Sequence, residues 1–444
     1  MECINFYPTN GSHTVSYRLV EYYNSIYVPN FCDVAHATYC IGTYMKKYAV
    51  IGRGTVGCMS ALQMKLNFPE AKVEWHYDPA IKPQAVGEGT TLVLPMLLNK
   101  TLGFGPRDFN LVDAYVKTGI FKRGWSATEE EFLHDFPTPS TAIHFNANKM
   151  QDYIYGRLKN HVDLFEHNVS PDEIDADYII DCSGRPKDYT KHSQSAYIPV
   201  NAVHVNQCYW DAPKFSHTLT IARPYGWVFG IPLQNRCSIG YLYNSDINTL
   251  EEVKEDIKAI FSDFGLTPSE ETNSFGFNNY SKNRNFTDRV ASNGNSSFFL
   301  EPLEAMSFSM ASSVLDNALN CVEGVMSTEQ ANIEYVGLVR NVERIIMMHY
   351  FAGSKYNTPF WDYARERGER CMENGKYDTA FCDMVKHAYP AGLFGRAPEV
   401  IMGSGKASMN YIHLNNLWWS PSFAQNLDGL GIRSRIESVL GITS

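Results

Sequence analysis

Tyr48-Ala49-Val50-Ile51-Gly52-Arg53-Gly54-Thr55-Val56-Gly57 is the stretch that decides the fold. Four apolar residues with a β-branched pair read as a short buried strand, and three glycines then turn the chain. Met59, Leu62 and Leu66 follow at helical spacing, and Val73 to Tyr77 reads as a second strand ending at Asp78, 21 residues after Gly57. In a unit of this kind the first glycine (Gly52) permits the tight turn, Gly54 lets backbone approach a pyrophosphate, and Gly57 lets helix and strand pack closely. The helix N-terminus at Thr55 and Val56 then faces the phosphates, and Asp78 accepts from ribose hydroxyls. A bare glycine triplet is a weak signal; both flanking strands and the acid make it a dinucleotide site. Only one such unit is present. Gly403-Ser404-Gly405 has no comparable setting, so a second, nicotinamide dinucleotide has no evident home.

Outward from that unit, the chain has 444 residues, 44% of them hydrophobic and 19% charged. That excludes a disordered or coiled-coil protein. A net charge of -10, from 38 basic and 48 acidic residues with no basic block, argues against nucleic acid or anionic membrane as partner. No apolar run reaches the ~18 residues of a membrane span. The 25 Phe, 27 Tyr and 7 Trp suit a thick core, or an enzyme that handles a flat ring. Ten scattered cysteines without a C-x-x-C or a zinc-spaced His/Cys cluster read as reduced thiols of a cytosolic protein, with no metal site.

The expected fold is α/β: a Rossmann-like dinucleotide-binding core with an interleaved antiparallel sheet on the substrate side and a mainly helical C-terminal part. Residues 1–44 form an extension without a secretory pattern, and 45–190 the first part of the core. Runs such as Ala202 to Val205 and Gly226 to Ile231 assign 191–285 to the antiparallel sheet. The rest of the core falls in 286–345 and the helical part in 346–444. Ser327 with Gln330 is a capping box, and Val336, Val339, Val342 and Ile346 continue it at helical spacing.

Further segments align behind the first: VGEGTT (Val86 to Thr91), IHFNA (Ile143 to Ala147), YIIDCSG (Tyr178 to Gly184), PYGWVFGIPL (Pro224 to Leu233) and FFLEPLEA (Phe298 to Ala305). His349-Tyr350 and Thr358 to Trp361 complete the set. In this order they resemble the flavin-dependent halogenases of the tryptophan-halogenase type, over about Met45 to Trp361. Members of that family begin just before the glycine turn, so Met45 reads as a natural start. The resemblance implies FAD, used as FADH2 from a separate flavin reductase, with O2 and a halide ion giving hypohalous acid for an aromatic small molecule. It places FAD on Gly52, Gly54, Thr55, Val56, Gly57 and Asp78, and on the second turn Gly87, Glu88, Gly89 and Thr90.

By the same resemblance Lys122 holds the family's F-K position, where an ammonium polarises hypohalous acid or an amine forms a haloamine. The bland alternative is an exposed strand lysine, with Lys117 as its neighbouring decoy. Glu304, the last letter of EPLE, would orient the oxidant and accept the ring proton; the alternative is a glutamate that satisfies a helix start. Halide is expected at Ala305-Met306-Ser307, where the family often carries Ser-Thr-Gly. The thioether of Met306 suggests bromide or iodide over chloride, unless halide meets only backbone and Met306 faces the core. Trp227 and Phe229 match the family's W-x-W-x-I-P wall, and equally suit ordinary sheet packing. His134 and Phe136 match an H-x-F substrate element, and Trp418 with Trp419 suits either a stacking wall or helix packing. Only seven residues separate Phe136 from His144. A substrate cover that short implies an open chamber and a substrate other than free tryptophan. A single-component aromatic hydroxylase and a non-catalytic flavin-binding protein are the rival readings, and a homo-oligomer is compatible with all three.

Overall fold

Tyr48, Ala49, Val50 and Ile51 are buried on both faces, as a central parallel strand requires. In the computed structural model, which describes residues 45–81, 88–90, 93–126, 130–136, 142–388 and 420–442, they form the middle of a five-stranded parallel sheet. Its order is Val290–Ser292, Tyr178–Asp181, Lys47–Ile51, Lys72–Tyr77 and Asp163–Glu166. Helices Thr55–Asn67 and Ala147–Leu158 pack together beside it. The indole of Trp75 donates to the Gly52 carbonyl at 2.8 Å and so ties the second strand to the glycine turn.

The second sheet has seven strands among the described residues, in the order Pro268–Gly276, Ala202–Tyr209, Arg236–Tyr243, Gly226–Pro232, Thr218–Arg223, Gly119–Arg123 and Glu131–Asp135. Its first five strands, from 202–276, pair antiparallel. The last two come from 119–135, and Gly119–Arg123 runs parallel to Thr218–Arg223. Sequence distance hides that pairing, because nothing local marks a strand that crosses from the first part of the chain into this sheet. Side chains alternate along it. Phe121 packs toward helix Leu250–Asp263, and Arg123 pairs with Asp263. Lys122 is fully buried, opposite Phe132 in register, as Ile120 is opposite His134.

The C-terminal part is helical. Ser327 caps helix Thr328–Ala352 by accepting from Gln330 N at 3.1 Å. The helix buries Val342, Ile346, His349 and Tyr350 and stops at Gly353, whose φ is 81°. Pro359–Gly375 packs along it, and helix Ser420–Gly429 lies on strand Glu131–Asp135. Residues 1–44, Gly87, Gly403 to Gly405, Trp418 and Trp419 lie outside the described residues. Among those described, no helix is long and apolar enough to cross a membrane.

Candidate active site

The glycine turn forms a cradle that only glycine fits at positions 52 and 57. Gly52 has φ +100°, and a Cβ there would lie 2.2 Å from the Cys182 carbonyl oxygen. A Cβ on Gly57 would lie 2.2 Å from the Gly52 oxygen, whereas one on Gly54 would meet nothing within 4 Å. Helix Thr55–Asn67 therefore starts against bare backbone at Gly54, without a side-chain cap. Uncapped N–H groups beside open space suit a pyrophosphate, so these residues fit FAD. Val56 packs against the Gly294 turn, and Thr55 Oγ1 accepts from Gln151 at 3.0 Å. Asp78 stands at the end of strand Lys72–Tyr77, its Oδ1 accepting from Ala80 N at 2.9 Å.

The second turn is engaged with the protein itself. Glu88 is buried and ion-paired with Arg236. Gly89 bridges to His144. Thr90 exchanges hydrogen bonds with the Ile143 backbone, 3.0 Å from its N–H and 2.9 Å to its hydroxyl oxygen. The Thr90 carbonyl also accepts from Lys117 Nζ at 2.9 Å.

Lys122 and Glu304 meet in a fully buried ion pair. Leu303–Ala305 is a short turn, and Glu304 (φ 70°) and Ala305 (φ 54°) adopt the left-handed backbone that costs L-residues about 1–2 kcal/mol each. That geometry turns the Glu304 carboxylate inward. Its second oxygen is 3.2 Å from His134 Nδ1. Burial pushes the Glu304 carboxyl up, but Lys122 and His134 outweigh it and hold it well below the usual carboxylate range. Burial lowers the Lys122 ammonium, and Glu304 opposes that shift. Two more acceptors meet the ammonium: His349 Nε2 at 2.6 Å and the side-chain carbonyl of Asn426. His349 is buried, which lowers its pKa against the opposing pull of Glu304; its Nδ1 donates to the Ile345 carbonyl at 3.0 Å, and its Nε2 faces Lys122 and lies 3.4 Å from Glu304 Oε1.

Lys117 is fully buried too, on the short strand Tyr115–Lys117, with its amine 5.4 Å from the Phe136 ring centre. Burial brings its pKa down to about 8. Phe136 stands edge-to-face with His134 at 5.6 Å. Lys117, Lys122, His134, Phe136 and Glu304 thus form one group. Sequence reading set Lys117 aside and missed His349 and Asn426 as partners; the His349-Tyr350 motif was the one available signal. Asn426 of helix Ser420–Gly429 sits directly on Lys122.

Trp227 is core: its indole donates to Glu301 at 2.8 Å, and its ring packs on Trp125, which in turn meets His349 at 5.4 Å. Phe229 is half-buried beside it. Met306 is 2% exposed and joins the main apolar cluster. It precedes helix Ser307–Val322, which has no side-chain cap. Ala305 N–H donates to the Pro302 carbonyl at 2.9 Å.

Glu301, first letter of EPLE, accepts from Trp227 and from Tyr350 OH on one oxygen; its Oε1 has no hydrogen-bond partner among the described residues. Burial raises its pKa to about 8. A carboxyl raised on folding contributes stability that is fully present below its unfolded pKa and is lost as pH climbs to about 8. Glu301→Gln keeps the acceptor and removes the titration. The variant is expected to gain on the wild type by up to about 4 kcal/mol between pH 5 and 8. Urea unfolding across that range checks it, and parallel curves would contradict it.

The family model for tryptophan halogenases matches residues 47–162 and 141–435. The chain belongs to the tryptophan halogenase family. It is 26% identical over 283 residues to tryptophan 7-halogenase RebH of Lentzea aerocolonigenes, covering 58% of this chain and 49% of RebH. Against tryptophan 7-halogenase KtzQ of Kutzneria sp. (strain 744) it is 24% identical over 327 residues, 66% of this chain and 59% of KtzQ. The chain thus spans about half the length of the curated relatives it matches. Two solved structures share the fold: MibH, a tryptophan 5-halogenase, with TM-score 0.72 at 16% identity, covering 91% of this chain and 92% of MibH; and a tryptophan halogenase from Shewanella frigidimarina NCIMB 400, with TM-score 0.68 at 16% identity, covering 89% and 93%.

Proposed function

We propose that this member of the family is an FADH2-dependent halogenase acting in the cytosol on electron-rich aromatic small molecules such as phenols, pyrroles or indole derivatives. The observation that carries the reading is the buried Lys122–Glu304 pair set beside Lys117, His134 and Phe136. Gly52, Gly54 and Gly57 would cradle the FAD pyrophosphate, with Asp78 on the ribose. Bound there, FADH2 from a separate flavin reductase would supply the two electrons that let O2 oxidise halide to hypohalous acid.

The two lysines divide the remaining work. Lys122 has three acceptors around its ammonium, and it keeps Glu304 ionised and aimed. Lys117 has a pKa brought down to about 8 by burial and faces the Phe136 ring, so its ammonium donates to the oxygen of hypohalous acid. The aromatic carbon takes the halogen as the O–X bond breaks, the oxygen takes a proton from the Lys117 ammonium and leaves as water, and the ring proton passes to Glu304, from which Lys117 is reprotonated. Halide would bind at the backbone of Met306 and Ser307 where helix Ser307–Val322 begins, with the Met306 side chain packed in the core and not turned to the ion.

The test supplies reductase, NADH, O2, halide and a generic electron-rich acceptor. Halogenated product is expected. Lys117→Met is expected to lower it about 10²–10⁴-fold, the range for a positioned acid–base group. Full activity in Lys117→Met with none in Lys122→Met would give the amine's role to Lys122. NADH use without reductase would point to a single-component hydroxylase, and no turnover at all to a flavin-binding protein.

A further inference from the structure

We propose that Asn426 is a positioning residue that fixes the charge and direction of the Lys122–Glu304 pair from the C-terminal helix; its catalytic meaning rests on the halogenase reading. Asn426 is fully buried. Its Nδ2 donates to the Ser422 carbonyl at 2.9 Å, which settles the amide orientation and leaves the carbonyl oxygen toward Lys122. The helix carrying it is docked on strand Glu131–Asp135 at two further points. Gln425 Oε1 accepts from Asp135 N at 3.1 Å, and Gly429 lies so close to Phe132 that a Cβ would be 2.3 Å from its ring. This contact is a built seat, since a side chain longer than glycine's would lift the helix and with it the Asn426 carbonyl.

The Lys122 ammonium meets Glu304, His349 and Asn426. A neutral acceptor beside the pair suits the cluster. A carboxylate would compete with Glu304 for the same cation, and an apolar group would withdraw a neutral acceptor from a buried ammonium. The titratable and charged groups facing the pair come from several elements: His134 on strand Glu131–Asp135, His349 on helix Thr328–Ala352, and Lys117 on strand Tyr115–Lys117. None of these replaces the acceptor that Asn426 provides, because Lys117 is a cation and His134 is turned to the other Glu304 oxygen.

Removing the carbonyl weakens the charged form of Lys122, and a Glu304 that loses its counter-ion takes up a proton more readily. Adding a carboxylate does the reverse to Lys122. Protein carrying ¹³C-labelled lysine is titrated by NMR in the wild type, Asn426→Ala and Asn426→Asp, with the Lys122 signal identified by its absence in Lys122→Met. Lys122 is expected to deprotonate at lower pH in Asn426→Ala and at higher pH in Asn426→Asp. In the halogenation assay, Asn426→Ala is expected to lose about tenfold in kcat near pH 7 with KM unchanged, and its acid limb moves to higher pH. A Lys122 titration that stays put in both variants overturns the proposal, whatever happens to activity. Should the wild type halogenate nothing, the NMR titration still decides the role of Asn426 while the functional reading falls.

Discussion

Glu304→Leu and Lys122→Met are each expected to destabilise the protein by about 3–5 kcal/mol, while the double variant recovers most of that loss and none of the turnover. Each single change leaves one ion of a fully buried pair without its partner. In Glu304→Leu the ammonium keeps the neutral acceptors His349 and Asn426 but loses its carboxylate, against the whole cost of its burial. In Lys122→Met the carboxylate keeps His134 at 3.2 Å and must take up a proton. With both replaced by apolar groups of similar volume the desolvation cost disappears, though His349 and Asn426 lose a donor, so recovery stops short of complete. Urea unfolding of the four proteins measures the coupling. Additive losses would mean that the two side chains do not depend on each other. Turnover is expected to fall about 10²–10⁴-fold in both singles and in the double. Stability and activity thereby separate: the pair is held for chemistry at a cost to the fold.

Gly57→Ala is expected to abolish measurable FAD binding and to destabilise the fold, whereas Gly54→Ala weakens binding with stability unchanged. The added methyl at position 57 would lie 2.2 Å from the Gly52 oxygen, so the helix must move off the strand, at about 1–3 kcal/mol for overpacking. That shift also spoils the aim of the first helical N–H groups. At position 54 the methyl meets no protein atom within 4 Å and the backbone is not left-handed. Only a bound pyrophosphate would feel it. A loss of about 10²-fold or more in affinity for Gly57→Ala corresponds to about 2.7 kcal/mol. Titration of FAD fluorescence alongside thermal melts checks both. Equal melting losses in the two variants would contradict the cradle geometry.

The dinucleotide unit was legible because its signals are local: strand, glycine turn, helix and acid fall within Tyr48 to Asp78, each readable from its own period. The helix capped by Ser327 was legible for the same reason. The pairing of Gly119–Arg123 with Thr218–Arg223 was not, since the partners lie about a hundred residues apart with no turn between them to announce it. The lysines illustrate a different limit. Lys117 and Lys122 are five apart, which in one continuous strand would put them on opposite faces. The chain instead changes sheets at Thr118, so both amines are buried near one carboxylate, and one of them passes for a decoy. The partners of Lys122 were out of reach for the plainest reason. An asparagine in a helix carries no mark of the ammonium it will meet, and only folding brings the two together.

Because Lys122 waits for a carbonyl 304 residues further along the chain, ribosomal timing bears on this site. At ~5–20 residues per second, roughly 15–60 s pass between the synthesis of the two residues. Once Cys182 has been made the glycine cradle can close and take up its nucleotide, while the lysine still lacks the Asn426 carbonyl. A nascent chain therefore acquires its cofactor seat well before it acquires a finished reaction centre. An unfinished polypeptide could thus hold its cofactor before it can direct the oxidant onto a substrate.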